Sequence, residues 1–197
     1  MNLISVRRAL APAILAAILA TGLAGCGAAP RSLLHGSTGR TFALPVPEAP
    51  GVPRFAWVDS GRVARGGQPS EEGLRWLAAH GFRTVITFRQ HHDEEAPVAR
   101  AGLTLIELPV QADVFGSSPP TESQVTTFFA TVQDSARQPV FFHCKRGADR
   151  TGTFGALYRI QVDGWTNDEA IEEMQAFGYS DFFRDLIGYV RSYRPRP

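Results

Sequence analysis

The stretch PVFFHCKRGADRTGTFGALYRI, residues 139–160, decides the fold. Its first part, from Val140 to His143, predicts a buried strand. The part from Thr151 to Val162 predicts a central helix, because it is apolar on nearly all sides. Gly147 allows the short loop between them to turn tightly. A strand, a tight loop and a helix in this order are typical of a sheet whose strands alternate with helices.

The same alternation extends over residues 54–190. Short strands are predicted at 55–58, 62–64, 84–88 and 103–108. Helices are predicted after Ser70, Thr121 and Thr166, each of which can cap a helix, and at 92–101 and 181–190. These elements predict an α/β fold with a mainly parallel central sheet flanked by helices on both faces. Ligands of such sheets bind at the carboxyl ends of the strands, where Cys144 lies.

The first 25 residues have the features of an export signal. Arg7 and Arg8 precede an apolar run, residues 9–20, that is too short to span a bilayer. The sequence LAGC at residues 23–26 then resembles a bacterial lipobox, in which the cysteine, here Cys26, is lipidated and becomes the new N-terminus. The alternative is an ordinary signal peptide whose cysteine has no role.

These features divide the chain into a lipoprotein signal peptide (1–25), a flexible tether (26–53) and one domain (54–197). The tether is rich in Gly, Pro, Ala and Ser and has no sustained period. With Cys26 lipidated, the domain would face the periplasm of a bacterial cell envelope and contact the membrane through its N-terminal lipid only. Gly27 gives no sign of retention in the inner membrane, which favours the outer membrane.

Charge and cysteine content exclude several classes of protein. The chain has 20 Lys and Arg against 19 Asp and Glu, and loss of Arg7 and Arg8 with the signal leaves 18 against 19. No global basic field therefore favours nucleic acid as a partner. With Cys26 lipidated, Cys144 has no partner, which excludes a disulfide framework and a zinc site built on several cysteines. We expect no metal and no cofactor.

Two further polar features can be explained by structural roles alone. The run HHDEE at residues 91–95 is predicted to be a solvated turn, because sequence neighbours on a loop rarely converge on one ion. Arg65 and Arg89 each follow an apolar or strand segment. Either they reach the mouth of a site at the sheet edge or they form structural ion pairs, and both interpretations remain open.

The loop after the buried strand can form a cradle for a dianion. Its backbone N–H groups, from Lys145 to Arg150, can converge on one point, and the N-terminus of the next helix adds its positive dipole there. Arg150 can close the cradle with the planar fork of its guanidinium. Cys144 lies at its base, where the field that attracts phosphate also stabilises a thiolate. A thiolate in line with a bound phosphorus can form a covalent phosphocysteine.

The pattern HC, five residues, RTG at 143–152 resembles the signature of cysteine-dependent phosphatases, the protein tyrosine and dual-specificity superfamily. Residues 65–69 (RGGQP) and 85–89 (VITFR) are similar to the opening of compact bacterial dual-specificity-like phosphatases. The resemblance spans residues 54–190. It implies the dual-specificity-phosphatase fold and a phosphomonoester hydrolase that needs no metal or cofactor.

The same resemblance implies a role for each loop residue. Cys144 would be the nucleophile, and Arg150 would bind phosphate and stabilise the transition state. Thr151 would donate a hydrogen bond to the sulfur, and His143 would orient the loop. The residues expected to bind the substrate are Lys145, Arg146, Gly147, Ala148, Asp149 and Thr151.

Two carboxylates can serve as the general acid that protonates the leaving oxygen. In the family this acid is an aspartate on a loop after the preceding strand, and Asp113 is the only carboxylate between that strand and the next helix. Asp149, inside the loop, is the rival. It departs from the simplest tyrosine-phosphatase loop and is similar to loops of lipid- or inositol-phosphate enzymes.

The substrate remains open between two classes. Lys145, the one lysine in the chain, and Arg146 can fan outward from the rim of the cradle. Two cations there suit an inositol phosphate or phosphoinositide, whereas a phosphorylated protein needs fewer. Alternatively, both cations only raise the local potential.

Two other functions compete with a phosphatase. A rhodanese-like sulfur transferase also has a cysteine cradle between a strand and a helix, but its loop need not end in arginine. An inactive phosphate-binding module would not need both Cys144 and Arg150 at this spacing.

Overall fold

The computed structural model describes residues 36–43, 45–46 and 49–196. Over this part, strands and helices alternate along most of the chain. In chain order they are β1 (Ala56–Asp59), β2 (Val63–Gly67), α1 (Glu71–Ala79), β3 (Thr84–Thr87), α2 (Glu95–Arg100), β4 (Thr104–Glu107), β5 (Ala112–Asp113), β6 (Gly116–Ser117), α3 (Glu122–Gln133), β7 (Val140–Cys144), α4 (Asp149–Gln161), α5 (Asn167–Ala176) and α6 (Arg184–Ser192).

The main sheet has the strand order β1-β2-β7-β3-β4. Strands β2, β7, β3 and β4 are parallel, and only the edge strand β1 is antiparallel to its neighbour. The mainly parallel α/β fold predicted from the sequence is therefore confirmed. The central strand β7 carries the cysteine at its carboxyl end, and the register pairs Gly67 of β2 with Cys144.

Helices cover both faces of the sheet, as predicted. Adjacent residues of a strand point to opposite faces. Val85 and Phe141 pack with Leu77 of α1 and Val98 of α2 in one apolar cluster. The next residues along β3 and β7 belong to a second cluster with α3, α4, α5 and α6. Strand β7 is buried on both faces, and it is therefore apolar until its last two residues.

Short-range signals placed most helices correctly. Thr121 and Gln124 form a capping box at the start of α3, and Thr166 and Glu169 form another at the start of α5. Helix α4 begins at Asp149, two residues earlier than predicted, because the end of the loop already winds into the first turn. The short antiparallel pair β5–β6 was not predicted.

The flexible tether predicted for residues 26–53 is wrong for the described residues between 36 and 53. Phe42 is buried against Trp165, and Val52 is buried in the cluster of α1 and α2. Ser37 and Thr38 donate hydrogen bonds to Glu172 and Glu169 of α5. Phe42 and Val52 thus bury apolar surface on the domain, and Ser37 and Thr38 are bonded to α5.

The predicted signal peptide (1–25), Cys26 and Gly27 lie outside the described residues. Within the part of the chain that the structure describes, no helix combines the length and the apolar character that crossing a membrane requires.

Candidate active site

The site is built at the carboxyl end of β7, where residues 145–148 lead into α4. Gly147 has a φ of +77°, a conformation that side chains disfavour. A Cβ at this position would also lie 2.5 Å from the backbone carbon of Gly66 in the neighbouring strand β2. Glycine therefore allows the loop to turn sharply while it lies directly against the sheet.

Cys144 lies at the bottom of a cleft and is only 2% exposed. Its sulfur is free of any disulfide and accepts a hydrogen bond from the Gly147 N–H at 3.3 Å. The cleft has a volume of about 280 Å³. Its walls come from the loop (Lys145, Arg146), the start of α4 (Asp149, Arg150), β5 (Ala112) and the segment before α6 (Ser180, Phe182, Phe183). The sulfur thus faces a pocket, as the cradle hypothesis requires.

Arg150 is held at the wall of this cleft. Its Nη1 donates to the carbonyl oxygens of Phe88 and Val110, at 3.2 and 3.3 Å. These carbonyls follow β3 and β4, so two neighbouring strand ends fix the side chain. Cys144 and Arg150, which the sequence pairs by spacing alone, line the same cleft.

Asp113 lies on the β5–β6 hairpin beside the site. The side chain is exposed, and its Oδ1 accepts the N–H of Phe115 at 2.8 Å. It lines a second cleft of about 320 Å³, together with Arg89, Gln90, His91 and Val114. Both clefts share Ala112, Lys145 and Arg150, so the two are contiguous.

Asp149, the rival acid, is buried and fully engaged. Its Oδ2 accepts from Arg146 at 2.8 Å, and its Oδ1 accepts the N–H of Ser180 at 2.9 Å. These bonds tie the loop to the segment before α6. The geometry gives this carboxylate a structural task at the wall of the cleft.

The structure places the other residues that were expected to contact the substrate. Arg146 is exposed at the rim, as expected, but its Nη2 pairs with Asp149 within one helical turn, so its charge is partly compensated. The Thr151 hydroxyl donates to the Gly66 carbonyl at 3.4 Å, so the bond expected to the Cys144 sulfur is not formed here. Lys145 is exposed at the rim, as expected, and Gly147 and Ala148 are buried in the loop.

His143 is buried behind the loop, with its Nδ1 3.2 Å from the Cys144 carbonyl oxygen. Burial lowers the pKa of His143 to about 3, so the ring is neutral near neutral pH. Its Nε2 lies 3.6 Å from Oε2 of Glu94, and burial raises the pKa of that carboxyl. A neutral, buried ring in contact with the backbone suits an orienting role.

The run at residues 91–95 is not simply a solvated turn. His92 is largely buried, and its Nε2 lies 2.9 Å from Glu107 of β4, a partner distant in sequence. Side-chain ligand atoms of His92, Glu95 and Glu107 all lie within 4.8 Å of one another. The close contact between His92 and Glu107 accounts for this group, since both glutamates are otherwise exposed.

Sequence reasoning missed two features of the site. Phe182 and Phe183 form one wall of the cleft, but two adjacent aromatic residues give no local sign of this position. Arg65 lines neither cleft and, in the part of the chain that the structure describes, forms no ion pair. It is buried beneath the loop, and its Nη2 donates to the Gly147 carbonyl. Only the strand order β1-β2-β7 brings it there.

Comparison with known families gives a match over residues 55–183. The matching family is described as DSP-PTPase phosphatase fused to NAD+ kinase. The matched range contains the whole main sheet and both clefts. It ends immediately before the last helix, α6.

Two curated relatives illustrate the range of similarity. Dual specificity protein phosphatase TpbA of Pseudomonas aeruginosa is 35% identical over 130 residues, which are 64% of this chain and 57% of that protein. Inositol diphosphatase DSP5 of Arabidopsis thaliana is 25% identical over 127 residues, which are 62% of this chain and 61% of the relative. The chain therefore spans less than two thirds of the length of these curated relatives.

The crystal structure of P. aeruginosa TpbA superposes with a TM-score of 0.64 and 31% identity. The match covers 80% of this chain and 94% of that one. A variant of TpbA crystallised in complex with pTyr matches with a TM-score of 0.62. The arrangement of sheet and helices is thus shared with solved structures.

Proposed function

The chain belongs to the DSP-PTPase phosphatase family, and from this premise we propose that it is a cysteine-dependent phosphomonoester hydrolase of the protein tyrosine and dual-specificity type. One observation carries the proposal: the sulfur of Cys144 lies at the bottom of a cleft, accepts a loop N–H and shares that cleft with Arg150. A rhodanese-like transferase and an inactive binding module have no comparable support.

In the first step, the Cys144 thiolate attacks the phosphorus of the bound ester. The S–P bond forms while the P–O bond to the leaving group breaks, and Asp113 gives its proton to the departing oxygen. Arg150 and the loop N–H groups bind the phosphoryl oxygens, on which charge is concentrated in the transition state. The products of this step are a free alcohol or phenol and a phosphocysteine.

In the second step, water attacks the phosphocysteine. The Asp113 carboxylate takes a proton from the water, the new P–O bond forms, and the S–P bond breaks to return the thiolate. Orthophosphate then leaves. Asp113 suits both proton transfers better than Asp149, because it is exposed and bonded only to its own hairpin, whereas both oxygens of Asp149 are held.

We propose phosphorylated protein as the first substrate class. The cleft above the sulfur has aromatic walls at Phe182 and Phe183, which suit the ring of a phosphotyrosine. The relative TpbA, described as a dual specificity protein phosphatase and crystallised with pTyr, supports this choice.

An inositol phosphate or phosphoinositide is the second candidate. The adjoining cleft carries Arg89, His91 and Lys145, so a second phosphate could bind beside the catalytic one. The relative described as an inositol diphosphatase supports this class. Arg146 adds little to it, because its charge is paired with Asp149.

Orthophosphate release from a phosphotyrosine peptide and from an inositol polyphosphate tests both the reaction and the substrate class. Wild type should hydrolyse the peptide faster, and Cys144→Ser should lose at least about 10³-fold in kcat, because the hydroxyl is a much weaker nucleophile. The serine variant should still bind orthophosphate. A serine variant as fast as wild type would overturn the nucleophile, and a faster inositol substrate would replace the first substrate class by the second.

We also propose that Cys26 carries a lipid and anchors the protein in a bacterial envelope facing the periplasm, most simply in the outer membrane. The support is the order of positive residues, apolar run and LAGC in the sequence. Cys26→Ala should move the protein out of the membrane fraction and abolish incorporation of a labelled fatty acid. Labelling that persists in the variant would refute the assignment.

A further inference from the structure

Arg65 is a charged side chain buried on the inner side of the phosphate loop, residues 144–150. It is 1% exposed and lies on β2, next to β7. Its Nη2 donates a hydrogen bond of 3.2 Å to the carbonyl oxygen of Gly147. It does not line either cleft, so it acts on the loop from the side opposite the substrate. Burying a guanidinium is costly, so a specific role is expected for it.

The surroundings of Arg65 are shaped to hold the guanidinium in one place. The ring of Phe177 lies 3.9 Å from the guanidinium carbon, a cation–π contact. A Cβ at Gly155 of α4 would lie 2.9 Å from Nη1, so glycine there leaves the space that Nη1 needs. Among the described residues, the Nε atom has no hydrogen-bond partner. The hydrogen bond to Gly147 is therefore one of the contacts that fix the position of this guanidinium.

Arg65 remains a cation at neutral pH. Burial lowers its pKa to about 10, and the charges of Glu173 and Cys144 oppose that effect. Arg159 and Arg54 are the other charged groups close enough to act on it. Cys144 faces Arg65 from β7, whereas Glu173 lies on α5. The charge of Arg65 is thus close enough to interact with both the sulfur and a buried carboxylate.

The hydrogen bond to Gly147 has a geometric consequence for the loop. In a planar trans peptide the carbonyl and the next N–H point in opposite directions. A Gly147 carbonyl turned towards buried Arg65 therefore turns the Ala148 N–H away from it. The N–H of Gly147 already points to the Cys144 sulfur. Two successive amides are then available to sulfur and phosphate.

We propose that Arg65 is a positioning residue: it holds the Gly147–Ala148 peptide so that its N–H faces the bound phosphoryl group, and its charge stabilises the Cys144 thiolate from beneath. The inference rests on the proposed phosphatase function and adds a second cation to it. Arg150 acts from the wall of the cleft, and Arg65 acts from the core.

Two variants of the full chain separate the two effects. Arg65→Met removes both the charge and the hydrogen bond. It should weaken orthophosphate binding by about tenfold or more, and raise the pH midpoint for iodoacetamide alkylation of Cys144 by about one unit. Arg65→Lys keeps the charge but loses the planar fork. It should leave the midpoint near that of wild type while orthophosphate binding stays weakened.

Arg159→Met is the matched control. Arg159 is also a buried arginine on an aromatic ring, but it pairs with Glu173 and Asp163 and, among the residues that the structure describes, donates no hydrogen bond to the loop. Its loss should lower the melting temperature and leave the alkylation midpoint of Cys144 nearly unchanged. Melting temperature, measured for every variant, separates loss of fold from loss of positioning.

Gly155→Ala tests the geometry without changing any charge. The new Cβ should displace the guanidinium and weaken orthophosphate binding several-fold, although alanine is favoured over glycine inside helices. Gly188→Ala in α6, where a Cβ would meet no atom within 4 Å, should leave orthophosphate binding unchanged.

The outcomes distinguish this inference from the proposed function. If Arg65→Met folds and keeps both the orthophosphate affinity and the alkylation midpoint of wild type, the inference is wrong. If that variant does not fold, Arg65→Lys and Gly155→Ala decide, and normal orthophosphate binding in both overturns it. Wild type that binds orthophosphate through this loop but hydrolyses no phosphomonoester would refute the function and not the inference.

Discussion

The two halves of the proposed active site differ in how firmly the fold holds them. The phosphate loop lies between β7 and α4, with Cys144 buried and the Gly147 peptide bonded to Arg65. The β5–β6 hairpin has strands of two residues each, and Val114 and Phe115 at its tip are 82% and 90% exposed. The nucleophile is thus part of the core, and the proposed acid stands outside it.

This difference indicates which group must move during the reaction. The loop is preorganised for a phosphoryl group, because its amides and cations are held by the sheet and by the core beneath it. The carboxylate of Asp113 is bonded to its own backbone, and a hydrogen bond of 3.3 Å between Ser117 and Asp185 links the hairpin to α6. We therefore expect the Asp113 side chain, rather than the phosphate loop, to move when the proton is delivered.

Asp113→Asn is the strongest test of the contrast between the buried phosphate loop and the exposed hairpin. The variant should lose about 10² or more in kcat on an alkyl phosphate, because an alkoxide leaves poorly without a proton. On an aryl phosphate such as p-nitrophenyl phosphate the loss should be far smaller, since the phenolate is a good leaving group. Steady-state kinetics on both esters measures the difference.

Asp149→Asn is the control from the firmly held half. It removes a charged acceptor from Arg146 and from the Ser180 N–H, so the melting temperature should fall. Both esters should slow by the same modest factor. If the leaving-group dependence instead appears in Asp149→Asn and not in Asp113→Asn, the acid belongs to the core and the contrast between the halves fails.

The firmly held half was the more predictable one. A buried strand, a glycine-containing loop and a helix follow one another without a break in residues 140–162, so local patterns suffice to place Cys144 at the end of β7. The capping boxes at Thr121 and Thr166 were predictable for the same reason, since each is closed within four residues. The bond of Arg150 to the ends of β3 and β4 was not, because it depends on the order of strands.

The features that sequence could not give depend on contacts between distant segments. Arg65 lies under the loop only because β2 pairs with β7. The hairpin has strands too short for any period to appear. Phe42 and Val52 lie in a stretch rich in Pro and Ala that has no sustained period, so no local pattern indicates their burial on the domain.

A smaller effect, the pH dependence of stability, tests how firmly the core half of the site is enclosed, because that half contains a buried histidine. Burial lowers the pKa of His143 to about 3, against 6.5 for a free imidazole. The unfolded chain therefore binds a proton below pH 6.5 that the native protein does not. The stability contributed by neutral His143 is complete above pH 6.5 and is lost as pH falls towards 3, by at most about 1.4 kcal/mol per pH unit.

His143→Gln removes this proton and should flatten the acid limb of the stability curve. Its free energy of unfolding relative to wild type should improve by up to about 1.4 kcal/mol for each unit between pH 6 and 4, measured by urea denaturation. Glu94→Gln provides a control of opposite sign. Burial raises the pKa of Glu94, so the native carboxyl resists ionisation, and this variant should gain on wild type as pH rises above 4.5. Stability curves of wild type and His143→Gln that run parallel over this range would mean that the histidine accepts its proton in the native state. The phosphate loop would then be less firmly enclosed than its contrast with the β5–β6 hairpin requires.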